Sequence, residues 1–189
     1  MEYVPLITIK NKKIQNNISI EDIENKIKPE QNIYIFDIDG IEKDKPNLCT
    51  YQKISKTNRI WVDCGPRTFG DVVDALTAGA ESITIRQEYF SKININSIKE
   101  ITENKIYKNI TLEEDSFEDC KNYDGLTLFI KQEDLEYDYQ KNNALKQITQ
   151  NFKLYLYDTS ESNEKYWETK DIQMQLINIE EYLGKQKNE

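Results

Sequence analysis

The sequence predicts an α/β fold in which a mainly parallel sheet closes into a small (β/α)8 barrel, with one domain spanning residues 1–189. Short apolar, β-branched runs alternate with polar segments of helical periodicity, which is typical of strand–helix units on a parallel sheet. About eight such runs fit within 189 residues, although a barrel of eight units commonly needs about 250 residues. The helices are therefore expected to be trimmed, and an open doubly wound sheet with fewer strands is the alternative.

The predicted strands are short runs in which apolar and β-branched residues dominate. They cover residues 4–9, 33–38, 59–64, 82–86, 107–112, 126–130, 152–157 and 172–177. The run at 33–38 is almost continuously apolar, as expected of a strand that is buried on both faces.

The predicted helices lie between these runs and have apolar residues three or four positions apart. They cover residues 20–27, 48–55, 70–80, 96–103 and 139–149. Gly79 stands where a glycine commonly ends a helix, because glycine adopts the left-handed backbone conformation without strain. The sequence shows no linker or low-complexity segment, and residues 184–189 are predicted to form a short tail.

The charge of the chain and its lack of histidine exclude several classes of function. The 34 acidic residues outnumber the 25 basic ones and give a formal net charge of -9, which disfavours binding to nucleic acid and docking on anionic lipid. Without histidine, the chain cannot form a Ser-His-Asp triad, a Cys-His dyad or a histidine-ligated zinc site. The sequence predicts no metal site.

The remaining composition favours a cytoplasmic protein without a bound cofactor. No apolar run approaches the about 18 residues of a membrane span, and residues 1–5 lack the features of a signal peptide. The three cysteines, Cys49, Cys64 and Cys120, are far apart, which favours reduced thiols. With six glycines and no glycine-rich phosphate motif, P-loop and dinucleotide-binding folds are disfavoured.

Polar residues that follow the apolar runs are the candidate site residues, because parallel α/β folds bind ligands beyond the carboxyl ends of their strands. They are Thr8, Asp37, Asp39, Asp63, Arg67, Arg86 and Glu113. Two nearby carboxylates can shift each other's pKa and so separate an acid from a base. Two arginines at neighbouring strand ends would clamp an anion, and Arg67 would either do this with Arg86 or cover the start of the next helix.

Structural roles stay open for each of these residues. A strand-end aspartate such as Asp39 or Asp63 commonly caps the next turn or helix. Asp37 lies inside an apolar run, so it is either buried and paired or functional. Arg86 either binds a ligand or pairs internally with Asp63 or Glu88, because an unpaired buried guanidinium is too costly.

Several segments resemble the HisA/HisF family of histidine-biosynthesis barrels. YIFDIDGI at 34–41 resembles the second-strand signature of that family, and WVDCGPR at 61–67 with GDVVD at 70–74 resembles its third strand and the helix that follows. AGAESITI at 78–85 resembles the approach to the fourth strand, and VPLITIKNKK at 4–13 resembles the first strand and its turn. The chain is thus similar to a diverged paralogue of this family.

The resemblance implies a TIM-type barrel that binds phosphorylated ribosyl ligands. The isomerase branch of the family converts an aminoaldose into an aminoketose, an Amadori rearrangement, with a pair of aspartates at the ends of the first and fifth strands. In the family, glycine-rich turns after the third, fourth, seventh and eighth strands grip phosphate. Gly65 stands in the third-strand turn and would keep that ligand-binding role.

Several departures from the family pattern predict that this activity is lost or altered. Thr8 stands at the position of the first-strand aspartate, and a threonine hydroxyl is a poor general base. Glu113 stands near the fifth-strand aspartate, or else belongs to a solvated acidic turn at 113–115. Arg86 replaces the fourth-strand glycine, and residues 158–160 replace the later double glycine, so the second phosphate site is expected to be lost.

Two functions therefore stay open. One is a HisA-like barrel in which Arg67 and Arg86 hold a phosphorylated or carboxylated ribosyl-type metabolite. Catalysis there would pair Asp37 with Glu113 in an isomerase or a related sugar-phosphate lyase. The other is a non-catalytic interaction or scaffold paralogue. The predicted partner is a small anionic metabolite, with no nucleic acid and no membrane, and a homodimer or a pairing with another barrel is the expected protein contact.

Overall fold

Eight parallel strands close into a barrel in the computed structural model, which describes residues 1–90, 92–113, 117–160 and 163–186. The strands are β1 (Glu2–Lys10), β2 (Lys13–Ile14), β3 (Asn32–Asp37), β4 (Arg59–Asp63), β5 (Ala80–Arg86), β6 (Lys105–Ile110), β7 (Gly125–Ile130), β8 (Leu154–Asp158) and β9 (Met174–Asn178). The parallel ring runs from β1 through β3 and onward to β9, which pairs with β1, whereas β2 forms an antiparallel hairpin with β1. This closure confirms the predicted barrel and excludes the open sheet.

The helices are short, as the length of the chain predicted. They are α1 (Ile20–Lys26), α2 (Ile38–Lys43), α3 (Leu48–Ile54), α4 (Phe69–Thr77), α5 (Gln87–Phe90), α6 (Ile95–Lys99), α7 (Glu133–Glu136), α8 (Tyr139–Asn151), α9 (Glu164–Glu168) and α10 (Ile179–Gln186), with a 3₁₀ helix at Glu118–Asn122. Even α8, with 13 residues, is of ordinary length. Trimming the outer helical layer lets an eight-stranded barrel fit into 189 residues.

Two predictions about the helices have clear outcomes. Gly79 has φ +102° and follows α4, and a Cβ atom there would overlap the side chain of Ser55, which confirms the glycine stop. The prediction of a tail at 184–189 is wrong for residues 184–186, which belong to α10, and residues 187–189 lie outside the described residues. A helix this short carries too few apolar residues for its periodicity to stand out from the surrounding sequence.

Large aromatic side chains fill the interior of the barrel. The buried lumen cluster consists of Val4, Leu6, Tyr34, Trp61, Tyr107, Tyr155, Met174 and Leu176. The rings of Trp61 and Tyr107 have centroids 3.9 Å apart, and Tyr34 and Tyr155 each pack an edge against Trp61 at 4.8 and 4.7 Å. A separate apolar layer, rich in isoleucine, lies between the strands and the helices.

Alternation along each strand decides which side chains face the lumen. On β3, Tyr34 and Phe36 pack with the lumen cluster, whereas Ile33 and Ile35 belong to the outer layer. Asp37 therefore shares the outer face of β3. This alternation separates residues that look equivalent in the sequence.

Candidate functional site

The candidate site is the mouth of the barrel at the carboxyl ends of the strands. Alternation places eight side chains there, one from each strand of the ring: Thr8, Phe36, Asp63, Arg86, Asn109, Phe129, Tyr157 and Asn178. Three of them are aromatic and pack against the lumen cluster. We call these eight residues the mouth ring.

A buried ion pair between Asp63 and Arg86 is the main charged feature of the mouth ring. Nε and Nη2 of Arg86 donate to the two carboxylate oxygens of Asp63 at 2.9 and 2.8 Å. The Asp63 side chain has no exposed surface, and that of Arg86 is 11% exposed. Tyr34 on the neighbouring strand donates its hydroxyl to Asp63 at 2.7 Å. Asp63 thus accepts three hydrogen bonds in a low-dielectric setting, where such contacts are strong.

The protonation states in this group follow from burial and from the paired charges. Burial by itself would lower the pKa of Arg86, but the charge and hydrogen bonds of Asp63 raise it above the usual value. Burial raises the pKa of Tyr34, and the carboxylate of Asp63 raises it further. Arg86 therefore stays charged, and Tyr34 stays a neutral hydroxyl donor.

Two aromatic rings hold the Arg86 guanidinium. Its central carbon lies 5.3 Å from the ring centroid of Phe36 and 5.6 Å from that of Phe129, within the range of favourable cation–π contacts. Nη1 has no hydrogen-bond acceptor among the residues that the structure describes. Of the two roles expected for Arg86, these contacts match the internal pair with Asp63, which weighs against a purely ligand-binding role, and a ligand contact stays a prediction.

Arg67 binds the end of α2 instead of joining Arg86. Its guanidinium donates to the main-chain oxygens of Ile41 and Gly40 at 2.9 and 3.4 Å and pairs with Asp44. Cations are favourable at this end of a helix, where carbonyl oxygens are unpaired. The guanidinium also lies 4.7 Å from the ring centroid of Tyr89. The two arginines share no acceptor, so the expected clamp is not assembled in this structure.

Gly65 allows the loop after β4 to approach α2 closely. It has φ +63°, and a Cβ atom there would lie 3.0 Å from the Cα of Ile41. Both observations favour glycine at this position for steric reasons. A role for Gly65 in binding phosphate stays a prediction.

Asp37 caps α2 on the outer face of the barrel. Its Oδ1 accepts hydrogen bonds from the main-chain N–H groups of Asp39 and Gly40 at 3.1 and 3.2 Å and from the side-chain amide of Asn47 at 2.8 Å. Its Oδ2 accepts from the main-chain N–H of Asn47 at 2.7 Å and from the hydroxyl of Tyr51. These donors hold the fully buried carboxylate away from the mouth ring.

Asp39 is also committed to local contacts. It accepts hydrogen bonds from Lys43 Nζ and from the main-chain N–H of Lys12, both at 2.8 Å, and from Asn47 at 3.3 Å. The hydrogen bond from Lys43, and then those from the neighbouring main chain, lower the pKa of Asp39 well below its usual value. Asp39 is 4% exposed and connects the β1–β2 turn to α2.

The structure describes both Thr8 and Glu113, and neither side chain contacts Asp37. Thr8 is half-buried in the mouth ring, and its Cα pairs with that of Phe36. The Glu113 side chain is 73% exposed and lies 3.4 Å from Lys141 of α8. Residues 114 and 115 of the predicted acidic turn lie outside the described residues. The structure thus does not bring the two predicted catalytic carboxylates together.

Several residues of the mouth ring were missed in the sequence. Asn109 is 7% exposed and donates to Thr127 at 3.3 Å, and Tyr157 donates to Asn178 at 3.0 Å. The sequence prediction considered only the polar residues at or after the end of each apolar run. Side chains on one face of a strand are two residues apart, so Asn109 lies on the same face as Tyr107, and this spacing would have identified it.

Neither the known protein-family models nor the curated proteins gave a match to this chain. Across the described ranges, no group of three or more acidic or thiol side chains is arranged to hold a metal ion. In the same ranges no helix has the length and apolar character needed to cross a membrane.

Proposed function

We propose that this chain binds a small anionic metabolite, phosphorylated or carboxylated, in the mouth ring of the barrel. The observation that carries the proposal is the guanidinium of Arg86, which Asp63 and two phenylalanine rings hold in place at the carboxyl ends of the strands. A guanidinium held in this way loses little freedom when a carboxylate or phosphate binds its remaining N–H groups. Parallel barrels bind their ligands at this end.

The resemblance to HisA/HisF barrels supports a ribosyl-type ligand, since the closed eight-stranded barrel is the fold that the resemblance implies. The isomerase activity of that family would be lost or altered in this chain. Thr8 offers no carboxylate, and the hydrogen bonds of Asp37 hold it on the outer face of β3. An acid–base step usually accounts for about 10²–10⁴ in rate.

Charge balance determines how the ligand would bind. Because Asp63 cancels the charge of Arg86, net Coulomb attraction would contribute little to binding of the anion. Hydrogen bonds and stacking would contribute most of the binding free energy. A hydrogen bond to a charged group contributes about 1.5–3 kcal/mol. Phe36, Phe129 and Tyr157 are each half-buried and offer rings on which a flat group could stack.

The alternative function is a non-catalytic interaction or scaffold protein. It is favoured by the way in which three predicted site carboxylates are used: Asp37 caps α2, Asp39 ties the β1–β2 turn to α2, and Asp63 pairs with Arg86. In that case the ion pair would close the mouth and stabilise the barrel without binding a ligand.

Thermal stability with and without ligands distinguishes the two functions. The panel is ribose 5-phosphate, a phosphorylated imidazole riboside, citrate and malonate. A ligand present at 100 times its Kd stabilises the folded state by about 2.7 kcal/mol, which raises Tm by about 5–10 °C for a chain of this size. A shift with any of these ligands supports binding, and no shift across the panel overturns it in favour of the scaffold.

A paired variant locates the binding to the mouth. Arg86→Met with Asp63→Asn removes both charges together, and the new amide oxygen still accepts from the hydroxyl of Tyr34. The control is Arg59→Met, because Arg59 is a half-exposed arginine at the other end of the barrel. The ligand-dependent shift should be clearly smaller in the double variant than in the unsubstituted protein and unchanged in the control. An equal decrease in both variants, or an undiminished shift in both, would contradict a site at Arg86.

A further inference from the structure

A second basic feature lies beside the mouth, where the β1–β2 turn meets the end of α2. Five lysines lie there, in a chain whose net charge is -9; they are Lys10, Lys12, Lys13, Lys43 and Lys45, and we call them the lysine rim. Lys10 and Lys13 are directly opposite each other in the hairpin, an arrangement of like charges that costs stability. Such a cost is offset when an anion binds between the charges.

Three lysines of the rim, Lys12, Lys43 and Lys45, line a small cavity of about 220 Å³. Its walls are formed by Asn11, Lys12, Asp39, Lys43 and Lys45. Pockets that enclose a whole drug-sized ligand usually measure about 300–1,000 Å³, so this cavity suits a single anionic group. The rest of a bound molecule would lie outside it.

The one carboxylate in the cavity wall is already neutralised. Lys43 Nζ donates to Asp39 at 2.8 Å and to the side chain of Asn11 at 3.0 Å, and the second oxygen of Asp39 accepts from the main-chain N–H of Lys12. The ammonium groups of Lys12 and Lys45 have no acceptor among the described residues. The cavity wall therefore includes two lysines whose charges no described residue neutralises.

The main chain that carries these lysines is held in a defined shape. Asn11 and Lys12 both adopt the left-handed conformation, with φ 52° and 62°, at the tip of the hairpin. The main-chain N–H of Lys45 donates to the main-chain oxygen of Asp39 at 3.2 Å, so Asp39 connects both sides of the cavity. Anchoring the main chain in this way reduces the ordering cost of binding.

We infer that the lysine rim binds the phosphate of a small phosphate monoester, with Lys12 and Lys45 as its ligands. A phosphate dianion matches the two free ammonium groups in charge and offers several acceptor oxygens. This site is separate from Arg86 and does not depend on the function proposed for the mouth ring.

Titration followed by amide NMR tests the inference. Inorganic phosphate and ribose 5-phosphate are added at constant ionic strength, because exposed charges are screened over about 8–10 Å at ordinary salt. Each anion should move the amide signals of Asn11, Lys12 and Lys45, and the three signals should give the same Kd for that anion. Absence of these shifts, or shifts of equal size at Lys53 and Lys56, would overturn the inference.

Two charge-matched variants sharpen the test. The first combines Lys12→Asn, which keeps a residue that tolerates positive φ, with Lys45→Gln. The control combines Lys53→Gln with Lys56→Gln on α3 and just after it. We expect the first variant to weaken phosphate binding about tenfold or more, as the loss of charged hydrogen bonds predicts, and the control to change it less than twofold. Equal weakening in the two would contradict a specific site.

Two further measurements distinguish the rim from the mouth ring and from a lipid-binding surface. Arg86→Met with Asp63→Asn should leave the phosphate Kd at the rim unchanged, so failure of the mouth ring and failure of the rim are distinguishable. Vesicles of phosphatidylcholine with phosphatidylglycerol test a lipid as the source of the phosphate. Binding to vesicles without a response to the soluble phosphates would overturn the assignment to a small monoester.

Discussion

Breaking the Asp63–Arg86 pair from one side should destabilise the barrel strongly. Arg86→Met leaves the carboxylate of Asp63 buried, with Tyr34 as its remaining side-chain donor. Because Asp63 has no exposed surface and Arg86 is 11% exposed, solvent screening is slight and the cost of a broken buried pair applies, about 3–5 kcal/mol. The methionine fills much of the volume of the arginine stem, so most of this cost is electrostatic.

Removing both charges should recover much of the lost stability. In the double variant with Asp63→Asn, no buried charge is stranded, and the amide oxygen still accepts from Tyr34. Replacing a whole buried pair by hydrophobic residues of similar volume is often close to neutral in stability, and the asparagine adds the cost of an amide N–H group without an acceptor, about 1–3 kcal/mol. We therefore expect the double variant to be more stable than Arg86→Met alone by about 2 kcal/mol, which is a coupling that contacting residues show.

Urea unfolding followed by far-UV circular dichroism measures these differences. With an m value of about 2 kcal/mol/M, a loss of about 4 kcal/mol lowers the unfolding midpoint by about 2 M. Arg59→Met is the control, because an exposed pair contributes about 0–1 kcal/mol. The reasoning is refuted if Arg86→Met costs no more than the control, or if the double variant is no more stable than the single one.

The remaining predictions concern local features of the chain. Gly79→Ala should cost about 1–3 kcal/mol in urea unfolding, because an L-residue is strained at φ +102°; a neutral result would contradict the glycine stop. Contacts with Lys43 lower the folded-state pKa of Asp39, so its stabilisation is present above the unfolded pKa near 4 and is lost as pH falls toward the folded value. Asp39→Asn should flatten the acid limb of a stability–pH curve, and an unchanged slope would exclude this role. Burial raises the pKa of the Cys64 thiol, so an aromatic disulfide reagent should label the exposed Cys49 in the native protein and Cys64 only after unfolding; native labelling of both would contradict the packing.

The sequence alone predicted the barrel, with an open sheet as the alternative, and located the ends of some of its stronger elements. The run at 33–38 predicts a strand because β-branched residues that are buried on both faces leave few alternatives. Gly79 marks a helix end because the left-handed conformation is favourable for glycine and costly for other residues. Such signals are local, and they survive in a single chain. Helices of four to eight residues, such as α5 and α10, have too few apolar positions to show a period.

Only the tertiary structure decided what the polar strand ends do. Asp37 lies within one apolar run of the sequence and Asp63 near the end of another, yet Asp37 caps a helix outside the barrel and Asp63 pairs with Arg86 at its mouth. The physical reason is that a strand with apolar residues on both faces shows no alternation of polar and apolar residues. The face that lines the lumen is then set by closure of the ring and by the register between β3 and β4. The partner of Arg86 likewise lies 23 residues away in the chain, and it is brought within hydrogen-bond distance by the pairing of β4 with β5.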